Sequence, residues 1–177
     1  MNFNSRVYKS ISSLPFKLFN KKILLSYMEQ SQPNDNSLAI TVTNKLILAP
    51  MVRIGTTPFR LLCLKYGADI VFTEEIIAKK LMNCIKVYNK DLNVNEYISI
   101  KDSSMVLRVH PEEKGKLILQ IGASDPDDAV KAALVVKDDI TGVDLNMGCP
   151  KHFSTHGNMG SALLNRPDLT KEVFKIQ

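Results

Sequence analysis

The sequence predicts an α/β fold with a parallel sheet covered by helices, and two observations carry that prediction. Four short apolar runs, beginning near residues 45, 68, 116 and 142, are each followed by a stretch with helical spacing or a helix-start signal. The chain has 177 residues and is 45% hydrophobic, enough for one domain with a sizeable core.

The first run, Leu46-Ile47-Leu48-Ala49-Pro50-Met51, is apolar throughout and stopped by proline, as expected of a strand buried on both faces. A turn over 55–58 follows, with Thr57 placed to cap and Pro58 early in a helix that Gly67 ends. Residues 68–73 form a second strand leading into Glu74-Glu75. The mixed apolar and basic residues of 76–87 are expected to be helical.

Residues 88–113 interrupt the alternation, with 97–100 and 105–109 as short strands of a hairpin or excursion. Residues 116–122 make the third inner strand. Asp125-Pro126-Asp127-Asp128 then opens a helix to about residue 137, with acid at its positive end. The fourth strand spans 142–148, and Pro167-Asp168 begins a last helix reaching the end of the chain. Four strand-helix units suit either an open doubly wound sheet or a (β/α)8 barrel. A whole barrel takes about 250 residues, so barrel material of this length is about half of one.

The formal charge is +5, but Arg6, Lys9, Lys17, Lys21 and Lys22 precede the first acidic residue, Glu29. The remaining 18 basic residues balance the 18 acidic ones, so no basic globular face is expected. The leader resembles a mitochondrial transit peptide, with Lys where such peptides favour Arg. The favoured reading is a plain extension of a cytoplasmic protein, or translation from upstream of a start at Met28. Residues 1–44 are thus read as a poorly ordered leader and linker ahead of a domain over 45–177. No stretch approaches the roughly 18 apolar residues of a membrane span.

Cys63, Cys84 and Cys149 form no metal-ligand spacing and suit a reducing compartment. Cys63 and Cys84 fall in expected helices and read as small buried hydrophobes. His152 and His156 read as loop histidines, not a metal pair. No Gly-x-Gly-x-x-Gly or lysine-bearing phosphate loop follows a strand, which argues against the common nucleotide cradles. Reactive groups in parallel α/β folds collect past the carboxyl ends of strands. Cys149 lies at such an end between Gly148 and Pro150, where a thiol suits a proton donor or nucleophile, or is an ordinary loop cysteine.

Leu48-Ala49-Pro50-Met51, Gly67-Ala68-Asp69, Thr73-Glu74-Glu75, Gln120-Ile121-Gly122, Asp144-Leu145-Asn146-Met147-Gly148-Cys149-Pro150 and Gly160-Ser161-Ala162-Leu163-Leu164 together resemble the tRNA-dihydrouridine synthases. Lys151-His152-Phe153-Ser154-Thr155 is similar to the eukaryotic branch that modifies uridine 20 of the D-loop. The resemblance implies the N-terminal part of an FMN-binding (β/α)8 TIM barrel with NADPH as reductant, no metal, and tRNA bound mainly by a helical domain beyond this chain. It implies that Ala49, Pro50 and Met51 lie against the flavin and Gln120 bonds its ring edge. It also implies that Asn146 orients the flipped uracil, and that Cys149 donates a proton to C5 as hydride reaches C6. Glu74 and Glu75 receive no role, and Arg108 reads as an exposed hairpin residue. On this reading the chain is a truncated front half and inactive alone. The alternatives are a non-catalytic half-barrel binding RNA or protein, and another flavin barrel such as a dihydroorotate dehydrogenase, which would not share the motif at 160–164.

Overall fold

The computed structural model describes residues 42–174. Most of the leader, residues 1–41, lies outside them. Four parallel strands form one sheet: β1 (Ile47–Leu48), β2 (Ile70–Ile77), β6 (Leu117–Gly122) and β7 (Gly142–Leu145). Their order β1-β2-β6-β7 follows the chain with no reversal. A doubly wound sheet reverses its order at a switch point, whereas a barrel adds each strand beside the last, so this order is that of barrel material.

Helices α1 (Thr57–Lys65), α3 (Pro126–Val136) and α5 (Pro167–Phe174) alternate with these strands. All six residues of β6 are buried. Leu117, Leu119 and Ile121 point to one side, where they join Ala129, Ala132 and Val136 of α3 in the core. α3 starts as expected: Pro126 occupies its first turn and the Asp125 carboxylate accepts the Asp128 N–H at 3.1 Å.

The cap expected at Thr57 is displaced. Thr56 is the N-cap, and Thr57 lies inside α1, where its hydroxyl donates to the Arg108 carbonyl at 2.8 Å. On the same helix Arg60, 2% exposed, donates to the fully buried Glu113 carboxylate at 2.5 and 3.1 Å. It also donates to the carbonyls of Gly55 and Arg108. This pair fixes α1 to the short 3-10 turn Pro111–Glu113 that precedes β6.

The helix expected over 76–87 is overturned. β2 continues to Ile77, α2 is a single turn (Ala78–Leu81), and β3 (Cys84–Asn89) pairs antiparallel with β4 (Val94–Ser99). β4 pairs in turn with β5 (Met105–Val109), so the excursion is a three-stranded sheet. A short run of apolar and basic residues meets either period. Pairing over the whole length from Cys84↔Ser99 to Asn89↔Val94 satisfies backbone groups that a short isolated helix would hold only marginally. Cys84 is buried as expected, but on a strand. Cys63 is half-buried on α1. Arg108, read as exposed, is partly buried and pairs with Glu96 at 2.6 Å.

The expected first and fourth strands are shortened. Next to β1, the Asp69 side chain takes both the Leu46 N–H and the Lys45 ammonium at 2.9 Å. After β7, an asparagine turns the chain, as described below. An unforeseen helix, α4 (His152–His156), and a 3-10 turn (Gly160–Asn165) occupy what reads in sequence as a loop.

Candidate active site at the carboxyl ends of the parallel strands

Register places three polar side chains in one cross-strand row. Glu75 of β2 is opposite Gln120 of β6, which is opposite Asp144 of β7. Alternation puts this row on the face away from the Leu117, Leu119 and Ile121 core, and Asn146, two residues past Asp144, shares it. Gln120 is buried at 9% exposure, and its amide donates to Asp144 at 2.6 Å. Its backbone N–H donates to the Thr73 hydroxyl at 3.0 Å, where the β2–β6 register shifts between Phe72 and Glu75.

Glu75 sits close against Gly122. Its Oε1 is buried without a partner, and a Cβ built on Gly122 would lie 2.6 Å from it. Burial pushes the Glu75 carboxyl above the usual range, and a side-chain hydrogen bond from Asn146 opposes that shift. Neighbouring Glu74 instead shapes the loop after β1: its carboxylate accepts the backbone N–H of Arg53, which bends that loop back over β2. Arg53 has φ 67°, and the Met51 carbonyl accepts the N–H groups of Ile54 at 3.1 Å and Gly55 at 2.8 Å. Ala49, Pro50 and Met51 therefore lie at the same end of the sheet as Gln120, with β2 between them. At about 4.8 Å per strand, the β1 end is roughly 10 Å from β6.

At the end of β7 the Asn146 N–H makes one more ladder bond, to Ile121, before the side chain takes over. Asn146 Oδ1 accepts the backbone N–H groups of Gly148 and Cys149, each at 3.0 Å. That turn presents Cys149, half-buried, just past the carboxyl end of β7. The loop is closed from the far side by the Ser161 N–H, which donates to the Cys149 carbonyl at 3.0 Å. Gly160 has φ +59°, and a Cβ there would meet both the Cys149 carbonyl and the buried Ser154 hydroxyl at 2.5 Å. Gly160 and Ser161 thus form a close-packed clamp on the cysteine loop.

Of the six residues singled out in the sequence, Gln120 lies on β6, and Asn146 and Cys149 form the turn that follows the neighbouring strand β7. Ala49, Pro50 and Met51 stand at the same sheet end across β2. Sequence reasoning assigned nothing to Glu75, Gly122 or Asp144; the alternation of the strands, carried across the sheet, was the signal that could have joined them. His152 and His156 lie on α4 with stacked rings 5.3 Å apart and exposed side chains. Among the described residues no group of three or more metal-ligating side chains comes together.

A parallel β/α unit with a cysteine turn and an amide-acid row at its strand ends defines the class: a piece of a (β/α)8 barrel carrying polar chemistry at the barrel mouth. Residues 47–176 match the model of the dihydrouridine synthase (Dus) family. The chain is 46% identical over 146 residues to a Saccharomyces cerevisiae protein named tRNA-dihydrouridine(20) synthase (NAD(P)+), an alignment covering 77% of this chain and 38% of that one. It is 45% identical over 132 residues to the Schizosaccharomyces pombe protein of the same name, covering 73% of this chain and 28% of that one. A Pasteurella multocida tRNA-dihydrouridine synthase B is 34% identical over 132 residues, covering 74% of this chain and 35% of that one. The chain belongs to the dihydrouridine synthase family. It spans well under half the length of these relatives.

Proposed function

We propose that the protein of this chain reduces uridine to 5,6-dihydrouridine in the D-loop of tRNA, at uridine 20, with FMN as its flavin and NADPH as reductant. The observation that carries this reading is the turn at the end of β7. Asn146 holds the Gly148 and Cys149 amides at 3.0 Å and sets a half-buried thiol just past the end of β7, the strand paired with the one that carries Gln120. The higher identity to the two yeast (20) synthases than to the synthase B relative supports the choice of position.

The residues present fit a flavin. An isoalloxazine edge alternates carbonyl oxygens with N–H, and the Gln120 carboxamide offers both a donor and an acceptor at the sheet mouth. Ala49, Pro50 and Met51 would give one wall of its site and Gln120 the edge contact. When bound, a reduced flavin supplies hydride. Cys149 holds the proton for the other end of the uracil double bond, and its Sγ–H bond breaks as that proton passes to C5. Partial exposure leaves the resulting thiolate a route to recover its proton from solvent. Asn146 orients the base, which must leave its stack to reach the site.

Cys149→Ala is expected to lower dihydrouridine formation by about a hundredfold or more, the usual contribution of a positioned general acid. Nucleoside analysis of tRNA after incubation with NADPH reads it. Undiminished conversion would remove the proton-donor role. Wild-type protein that makes no dihydrouridine but still binds tRNA would favour a binding module.

A further inference from the structure

Gln120 is buried, yet one end of its carboxamide is open. The amide Nε2 donates to the Asp144 carboxylate at 2.6 Å, across the register of β6 and β7. Among the described residues nothing donates to Gln120 Oε1, and that oxygen, unlike Glu75 Oε1 and Ser154 Oγ, is not closed off from solvent. A buried amide ordinarily satisfies both ends, so an acceptor left open at the mouth of a sheet is a contact point for a ligand.

Asp144 decides which end is open. A carboxylate only accepts, so the Nε2 end must face it; a reversed amide would set two oxygens against each other. Glu75, opposite Gln120 on β2, gives no second hold, since its Oε1 lies beside Gly122 without a partner. The backbone is anchored separately. The Gln120 N–H donates to the hydroxyl of the fully buried Thr73 at 3.0 Å, and that hydroxyl donates in turn to the Glu74 carbonyl at 2.7 Å. Main chain and side chain of Gln120 thus have different anchors, and the side-chain anchor alone distinguishes oxygen from nitrogen.

We propose that Asp144 is a positioning residue for the flavin site: its carboxylate holds the Gln120 amide N–H and so keeps the acceptor oxygen turned toward the bound ring edge. This rests on the reading in which Gln120 meets that edge. Asp144 acts through Gln120 alone.

The test is a double-mutant cycle of Asp144→Ala and Gln120→Ala. FMN is titrated into the protein of this chain, and its dissociation constant is read from the visible absorbance. Without the carboxylate, the carboxamide is shared among several rotamers and both flips, so Asp144→Ala is expected to weaken FMN binding about fivefold. In the Gln120→Ala background the same change should do nothing, because the group it acts through is gone. Asp144→Asn keeps the side-chain shape and accepts the amide in either sense. About half the molecules then present the acceptor, and the loss should be about twofold. Unaltered FMN affinity in both Asp144 variants would overturn the proposal. So would an equal loss with and without Gln120, the pattern of an acid that only supports the sheet. Wild-type protein that takes up no FMN would instead sink the flavin reading itself, and the positioning role with it.

Discussion

Glu75 carries a cost that its surroundings define. Its carboxyl is raised from its ordinary 4.5 chiefly by burial, so the folded chain holds that proton at a pH where the unfolded chain has lost it. Below about 4.5 both states keep the proton and nothing is lost; as pH rises through the native value, stability falls. Glu75→Gln removes this dependence, so its denaturation midpoint, relative to wild type, should improve between pH 4 and pH 7. Comparing the two proteins isolates Glu75 from carboxylates shifted the other way, such as Asp69, which is lowered by its bonds to Lys45 and the Leu46 N–H. Cys84 makes a second residue-scale case. Burial pushes its thiol up to about 11 from 9.0, and its Sγ lies 3.3 Å from the Lys80 carbonyl. At pH 8 it should alkylate about a hundredfold more slowly than an ordinary thiol, since only the thiolate reacts. An ordinary rate would mean that β3 opens readily.

Among the elements, α1 depends on a buried ion pair rather than on an apolar stripe. The largest fully buried side chain it contributes is Arg60, held by Glu113 at 0% exposure. Glu113→Ala leaves that guanidinium buried without its counter-charge and should cost about 3–5 kcal/mol in urea denaturation. Replacing both partners by Leu should recover much of the loss, because it also removes the buried charges. A loss under about 1 kcal/mol in the single variant would show that water reaches Arg60. At α3 the Asp125 cap is an ordinary one, and Asp125→Ala should cost about 1 kcal/mol by the same measurement.

Over the whole molecule, an acid after α3 ties the antiparallel β3-β4-β5 sheet to the parallel unit, beside the α1 bonds to the Arg108 carbonyl of β5. Asp139 accepts from the Tyr97 hydroxyl at 2.5 Å, from Asn95 at 3.0 and 3.1 Å, and from Lys86 at 2.9 Å. Tyr97 is fully buried, and burial together with the Asp139 bond raises its proton affinity well beyond the usual range. Asp139→Ala orphans the Tyr97 hydroxyl at about 1–3 kcal/mol. Hydrogen exchange should then rise in β3 and β4 ahead of β6, whose six residues remain buried. Uniform acceleration across both sheets would mean that they unfold as one unit.

The third inner strand was legible because a strand buried on both faces has no period to misread, whereas β1, expected to be buried likewise, is two residues long with Ile47 36% exposed. β6 and α3 lie within a residue or so of their expected limits, and the Asn146 to Cys149 strand end could be named from its place alone. Residues 76–87 were not legible, because their apolar spacing fits helix and strand alike and the deciding partner, β4, lies beyond them in sequence. Nor was the tight packing of the Cys149 carbonyl and the Ser154 hydroxyl against Gly160 legible, since neither partner is its neighbour in sequence. The chain by itself determined the alternation of strands and helices and the cysteine at a strand end, while the strand order that makes barrel material came from the sheet. Only the tertiary structure decided that Glu75, Gln120, Asp144 and Asn146 share one face and that Gly122 leaves space for a carboxylate. Cross-strand register is a non-local hydrogen-bond pattern, and the one-residue shift between Phe72 and Glu75 that helps set this row leaves no mark in local sequence.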